Sequence, residues 1–461
     1  LLGRSSFEGE SAGGPDLVRA TTNLQGLIVP LFAFALMPTF AAADHTPEQK
    51  QRTLALADSL FTAGAADSSQ TILAEAMPAA RAGTDSLYLQ DLVVRQGCQL
   101  ASFGYAVQSE PILHEALALA EARGDSSTVC QVLRWLGYSV SNQGRWDEAE
   151  VITRRQVELA EALELAVMEG WAQVALGWYA EQRGTMEDAT GEYALAVEIF
   201  REVPDSTGLA WSLNNLGNAR LDRGDRPGAR ESYLEAAAIA QRIDYVLVEA
   251  MAANNLGVME FEGGDPAIAL AQFERAQELQ GRLEYRYERI NSGLNIGLCL
   301  VYLGRLKEAA VQLEVIVVEA ESLDHPEIET QALLALASLR YREGRTESAK
   351  KILRRVVFDE RDVSPNQRTE GMRSLAVHLA DQDSVGSAIE LLEQASELLR
   401  GQANSVQALR VDNLWGELLV RDGRDREGLE RLLSVEERAA RIGLSGQRVP
   451  ALAHAAKAYR R

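Results

Sequence analysis

The sequence predicts an all-α fold, a solenoid of about ten helix-turn-helix units, and two registered series of small residues carry that prediction. Glycine recurs every 40 residues at Gly64, Gly104, Gly144, Gly184, Gly224, Gly264, Gly304 and Gly344. Seven positions ahead of each stands another small residue, Ala57, Gly97, Gly137, Gly177, Gly217, Gly257, Gly297 and Ala337. A supersecondary unit returning at fixed spacing marks a stacked repeat. The third observation is that no segment alternates apolar and polar residues at the period of a strand. One step further, Ser384 takes the turn position behind Val377, and the last unit turns at Gly423, one residue early, behind Gly416. Glycine within a helix costs about 1 kcal/mol relative to alanine. A cost repeated in register implies a repeated reason, and close approach between neighbouring helices supplies it.

The unit is clearest in Trp211–Ala238, where Gly217, Gly224, Ala229, Tyr233 and Ala236 follow in order. Forty residues on stand Gly257, Gly264, Ala269, Phe273 and Ala276; forty back, Gly177, Gly184, Ala189, Tyr193 and Ala196. This order of small residue, turn glycine, alanine, aromatic and alanine resembles the tetratricopeptide repeat family. The usual period there is about 34 residues. The longer period implies helices extended by roughly a turn, as in kinesin light chains and many bacterial regulators. The resemblance implies a right-handed superhelix whose first helices line a concave, peptide-binding groove. It runs from Pro47 onward and weakens at the ends, where Ser69 and Ser109 replace the second-helix alanine.

In chain order, Leu1–Asp16 is polar and glycine-rich without periodicity and reads as disordered. Arg19, the apolar run Leu27–Phe40 and Ala41-Ala42-Ala43 follow the plan of a secretory signal peptide. The expected organisation is therefore a leader over 1–43 and a repeat array over 44–461. Export to the periplasm or medium follows if the leader is cleaved, and a cytoplasmic location if it is not. Thr46-Pro47-Glu48 reads as a cap with proline in the first helical turn. Pro111 is expected to open the second helix of repeat two. Val203-Pro204-Asp205-Ser206, Asp324-His325-Pro326 and Val363-Ser364-Pro365 each join a helix stop to a helix start. Arg438–Arg461 reads as one further helix.

A formal net charge of −21 argues against a nucleic-acid surface and favours neutral or basic partners. Cys98, Cys130 and Cys299 are far apart with no CxxC pair, which points to buried structural thiols. The five histidines, His45, His114, His325, His378 and His454, lack metal-ligand spacing and read as solvated or turn residues. No phosphate-binding glycine loop, HExxH, GxSxG or calcium loop occurs. No catalytic residue, metal or cofactor is expected, and the chain does not read as an enzyme.

One constellation stands out on the first helices. Trp171, Val174 and Trp178 share a face at helical spacing, and the same face carries Trp211, Asn214 and Asn218 one repeat later, then Met251 and Asn254. Arg134 and Tyr138 precede it and Asn291 follows. By the resemblance, asparagine amides on this face clamp a peptide backbone and aromatics take side chains; an amide offers donor and acceptor together. Packing of Trp171 and Trp211 between neighbouring first helices, with the asparagines capping local backbone, stands as the open alternative. The expected function is a non-catalytic scaffold binding an unidentified peptide or protein segment, with no nucleic acid and no membrane span beyond the leader. The alternative, again from the resemblance, is the sensory region of a longer signalling protein whose effector, a CHAT peptidase, kinase or cyclase, lies beyond the C-terminus.

Overall fold

The computed structural model describes residues 46–62, 65–283, 285–359, 361, 363–403 and 405–441. The proposed leader, the turn glycine Gly64 and the chain beyond Arg441 lie outside them. The described residues form twenty α-helices and no strand. In order these are α1 Pro47–Thr62, α2 Ala66–Ala82, α3 Ser86–Ser102, α4 Ala106–Arg123, α5 Ser126–Ser141, α6 Trp146–Ala162, α7 Ala166–Gln182, α8 Met186–Glu202, α9 Ser206–Asp222 and α10 Arg226–Arg242. They continue as α11 Val246–Glu262, α12 Pro266–Arg282, α13 Arg286–Tyr302, α14 Leu306–Ser322, α15 Pro326–Arg342, α16 Thr346–Val357, α17 Pro365–Asp381, α18 Val385–Leu398, α19 Val406–Arg421 and α20 Asp425–Arg441. Each odd helix and the even one after it make one repeat. The chain divides into two compact units, one of residues 46–259 with 279–283 and one of residues 260–278 with the described residues from 285 onward.

The turn glycines do what their spacing predicted. Gly104, Gly144, Gly184, Gly224, Gly264, Gly304, Gly344 and Gly423 all have positive φ, 84° at Gly224. At that turn the Gly224 amide donates to the Leu221 carbonyl and the Asp225 amide to the Arg220 carbonyl, both at 2.9 Å. These two bonds satisfy the last carbonyls of α9. Asp225 then caps α10, accepting from the Gly228 amide at 3.0 Å. Thr46 and Gln49 cap α1 reciprocally, each backbone amide bonded to the other's side chain.

Two details correct the register. Ser384 does not hold the turn: Asp383 has the positive φ, 60°, and Ser384 is the residue before α18. The slip therefore falls between Gly344 and Asp383, and Ala376, fully buried, fills the small position instead of Val377. It coincides with a helix shortened to 12 residues, α16, and a longer connection over residues 358–364. Pro111 does not open a helix; it lies inside α4. Arg438 belongs to α20 and does not begin a further helix.

The interior glycines mark close contact. A Cβ on Gly217 would lie 2.5 Å from the Tyr233 ring, and one on Gly177 2.7 Å from Tyr193. In these two repeats the small residue and the aromatic are thus two halves of one contact between a first helix and its second helix; Leu113 and Leu313 take the ring's place against Gly97 and Gly297. Ser69 and Ser109, which replace alanine, are buried and bonded: Ser69 Oγ donates to the Ala57 carbonyl at 2.8 Å, and Ser109 Oγ pairs with Ser139 Oγ at 2.7 Å.

Candidate functional site

The predicted face lies on α5, α7, α9 and α11, and within this unit its residues separate into two groups. Trp171, near the start of α7, is half-buried, with its ring edge against Phe200 at 5.5 Å and its Nε1 donating to Asp205 Oδ2 at 3.2 Å. Asp205 also caps α9 by accepting from the Gly208 amide at 2.8 Å. The Arg134 guanidinium lies over two indoles, 5.3 Å from the Trp171 ring and 5.4 Å from Trp135. Tyr138 meets Trp135 edge-on at 6.0 Å, and burial raises its phenol above the usual pKa. Trp178 packs edge-on against Trp146 at 5.2 Å, and Trp211 is half-buried beside the cluster that holds Phe200 and Leu213. These aromatics are packed on one side and retain accessible surface on the other.

The amides behave differently. Asn214 and Asn254 are each only 1% exposed, and Met251 and Asn218 are buried as well. Asn255 donates from Nδ2 to Asn214 Oδ1 at 3.2 Å and to Asn218 Oδ1 at 3.0 Å, while Tyr233 Oη donates to Asn218 at 2.7 Å. Asn214 and Asn218, both on α9, thus accept from Asn255 of the following repeat, since a buried amide must find internal partners. Asn291 lies in the other unit, half-buried on α13. One turn along, Asn295 is fully buried with neither amide atom partnered.

Sequence reasoning did not single out Trp135, Asn255 or the Tyr233 hydroxyl. A signal for Asn255 was present, because Asn214-Asn215 recurs as Asn254-Asn255 at the repeat spacing. Burial pushes the Cys98 and Cys299 thiols up to about 12, so both stay protonated at neutral pH. His378 departs from the solvated reading: it is buried, its Nδ1 pairs with the Ser374 carbonyl at 2.8 Å, and burial lowers its pKa. Among the described residues no group of three His, Cys, Asp or Glu is placed to hold a metal ion, and no helix is long and apolar enough to cross a membrane.

Paired helices of near-equal length, joined by left-handed glycine turns and closed by glycine-on-ring contacts, define an α-helical repeat protein. Residues 209–243 match one tetratricopeptide repeat model and residues 331–357 match another. The chain carries tetratricopeptide repeats. Its fold is similar to the apo form of the quorum sensor NprR from B. thuringiensis, at 14% identity and a TM-score of 0.54, over 76% of this chain and 99% of that one. It is also similar to a signal transduction ATPase with numerous domains, which carries a tetratricopeptide repeat sensor, from Pyrococcus horikoshii. There the identity is 12% and the TM-score 0.56, over 80% of this chain and 55% of that one. At these identities the likeness is one of fold. No curated protein sequence gives a match.

Proposed function

We propose that the chain is a non-catalytic interaction scaffold that holds an extended segment of a partner protein against the first-helix face of α5, α7, α9 and α11. The observation that supports this reading is the incomplete burial of Trp171, Trp178 and Trp211 on consecutive first helices, beside polar groups in register. Large rings with one face packed and one face open are anchors for a partner's side chains. Arg134 and Tyr138 extend that surface. Asn214, Asn218, Met251 and Asn254 lie beneath it. Asn214 becomes available to a peptide backbone only when Asn255 releases it, and Asn218 only when Asn255 and Tyr233 both do. The charge of −21 favours a neutral or basic segment and a salt-sensitive affinity.

The test is to pan a library of linear peptides on the chain. Basic or neutral sequences should be enriched, and Trp171→Ala and Trp211→Ala should lose them at temperatures well below the lowered melting point that removing a packed ring brings. Leu234→Ser, at an exposed position on α10, should keep them. Peptides that bind all three variants equally would remove this face from the reading. A second reading, a sensor arm of a longer signalling protein, is favoured by the match to 55% of an ATPase that carries such a sensor. A reading frame continuing past Arg461 into a peptidase, kinase or cyclase would support it. Export through Arg19, Leu27–Phe40 and Ala41–Ala43 is proposed as well; a secreted form beginning near Asp44 by mass spectrometry is the expected result, and an intact leader the opposing one.

A further inference from the structure

Arg134 is held in an unusual way for a residue on a ligand-facing helix. Its guanidinium lies over the Trp135 and Trp171 rings at 5.4 and 5.3 Å, inside the range of about 6 Å over which a ring quadrupole attracts a cation. Neither indole depends on Arg134 for its position. Trp171 is fixed by its bond to Asp205 and by the Phe200 ring, and Trp135 by Tyr138 and the surrounding apolar cluster. The bond to a carboxylate also pulls the Trp171 Nε1 proton outward and leaves its ring richer in electrons. Two rings set in advance, one of them polarised by an anion, form a cation seat that would persist if Arg134 were gone. At the register position of Arg134, later repeats carry Asn214 and Asn254, so the fold does not demand an arginine there.

We propose that Trp135 and Trp171 form a binding seat for a cationic side chain of the partner, an arginine or lysine, and that Arg134 occupies this seat in the unbound chain as an internal competitor. This rests on the reading of the first-helix face as the ligand surface and names the chemistry of one of its contacts. The acidity of the chain supplies the long-range attraction for such a side chain, and the seat supplies its local recognition. Arg134 then sets a threshold, because only a ligand anchored by further contacts displaces a tethered guanidinium.

The probe is N-acetyl-arginine methylamide, followed by calorimetry and by the indole Nε1–H signals of Trp135 and Trp171. Arg134→Asn, the residue of later repeats, should bind it saturably and about fivefold tighter than wild type, with both indole signals moving. Arg134→Ala serves as the second variant should the first melt early. Adding Trp171→Leu to either should return binding to the wild-type level. Equal affinity in wild type and both Arg134 variants, or gained binding that survives Trp171→Leu, would overturn the seat. Because the probe is a single residue, that failure leaves peptide capture by the face standing. Conversely, loss of enrichment in the library experiment leaves the seat to be judged on the probe alone.

Discussion

Two stretches of the molecule, α7–α10 and α13–α20, have the same helical plan and close it by different means. In the first, Gly177 and Gly217 receive the rings of Tyr193 and Tyr233, and the tyrosine hydroxyls end on Glu181 and Asn218. In the second, the ring position holds Leu313, Leu353, Leu392 and Leu432, all essentially inaccessible. Its specificity comes instead from buried charge. Of the four buried Asp, Glu and Lys residues among those described, Glu329, Lys350 and Asp412 are here. Glu329 ion-pairs with Arg355 and, at 2.8 Å, with Arg361; Asp412 takes Arg438 and, at 2.7 Å, Arg431, whose guanidinium lies 3.3 Å from the centre of the Trp415 ring. A leucine closes a repeat without directional contact, so direction must come from elsewhere. The Glu329 cluster sits where the register slips, and ties the connection after α16 back to α15.

The sharpest way to break this contrast is Glu329→Ala. It takes a fully buried carboxylate from Arg355 and Arg361, which keep Glu321 at 3.4 Å and Asp359 at 2.6 Å, and the loss of the two charged contacts is expected to cost about 3 kcal/mol in denaturant unfolding. A loss below about 1 kcal/mol would place the cluster among ordinary surface pairs and erase the distinction. In the other stretch, Gly217→Leu should cost about 2 kcal/mol by driving a side chain into the Tyr233 ring. Adding Tyr233→Ala should cost less than the sum of the two single losses, because both changes act on one contact.

His378 sharpens the comparison through pH. Burial depresses its folded-state pKa, with Asp381 and Lys350 acting in opposite directions nearby. The unfolded chain therefore binds the proton more readily than the folded one. Stability from the neutral ring is complete above the usual value of about 6.5 and is lost as pH falls below it. The melting temperature should drop between pH 7.5 and 5.5 and drop less in His378→Gln; an unchanged slope would reject the assignment. The smallest effect is expected at the joint after α6, where Glu164 has φ 56°. Glu164→Gly should raise stability by about 1 kcal/mol, since a non-glycine residue is strained there. No gain would mean that its side chain compensates.

Much of the fold was legible because a left-handed turn favours glycine, so glycine at a fixed period marks where the helices stop. The helix-turn-helix unit, its period and the small-residue contacts follow from Gly217, Gly224 and their equivalents. The joints with positive φ at Glu164, Asp244 and Asp324 were not legible, because those residues carry no such signature. The face on α7 and α9 was legible as a row of Trp and Asn, but its division into half-open rings and buried amides was not. Asn214 looks the same in a sequence whether it faces a ligand or Asn255.

The sequence by itself determined everything that depends on local backbone preference at a repeating position: where the described helices turn, which residue is small, and which ring or leucine must be large. Tertiary structure decided what polar and charged side chains do, because that depends on partners about one repeat away, such as Asp205 for Trp171 and Asn255 for Asn214. It also decided the register after α16. A one-residue deletion is invisible when a helix shortens and its connection lengthens to absorb it, and only the left-handed backbone of Asp383 locates it.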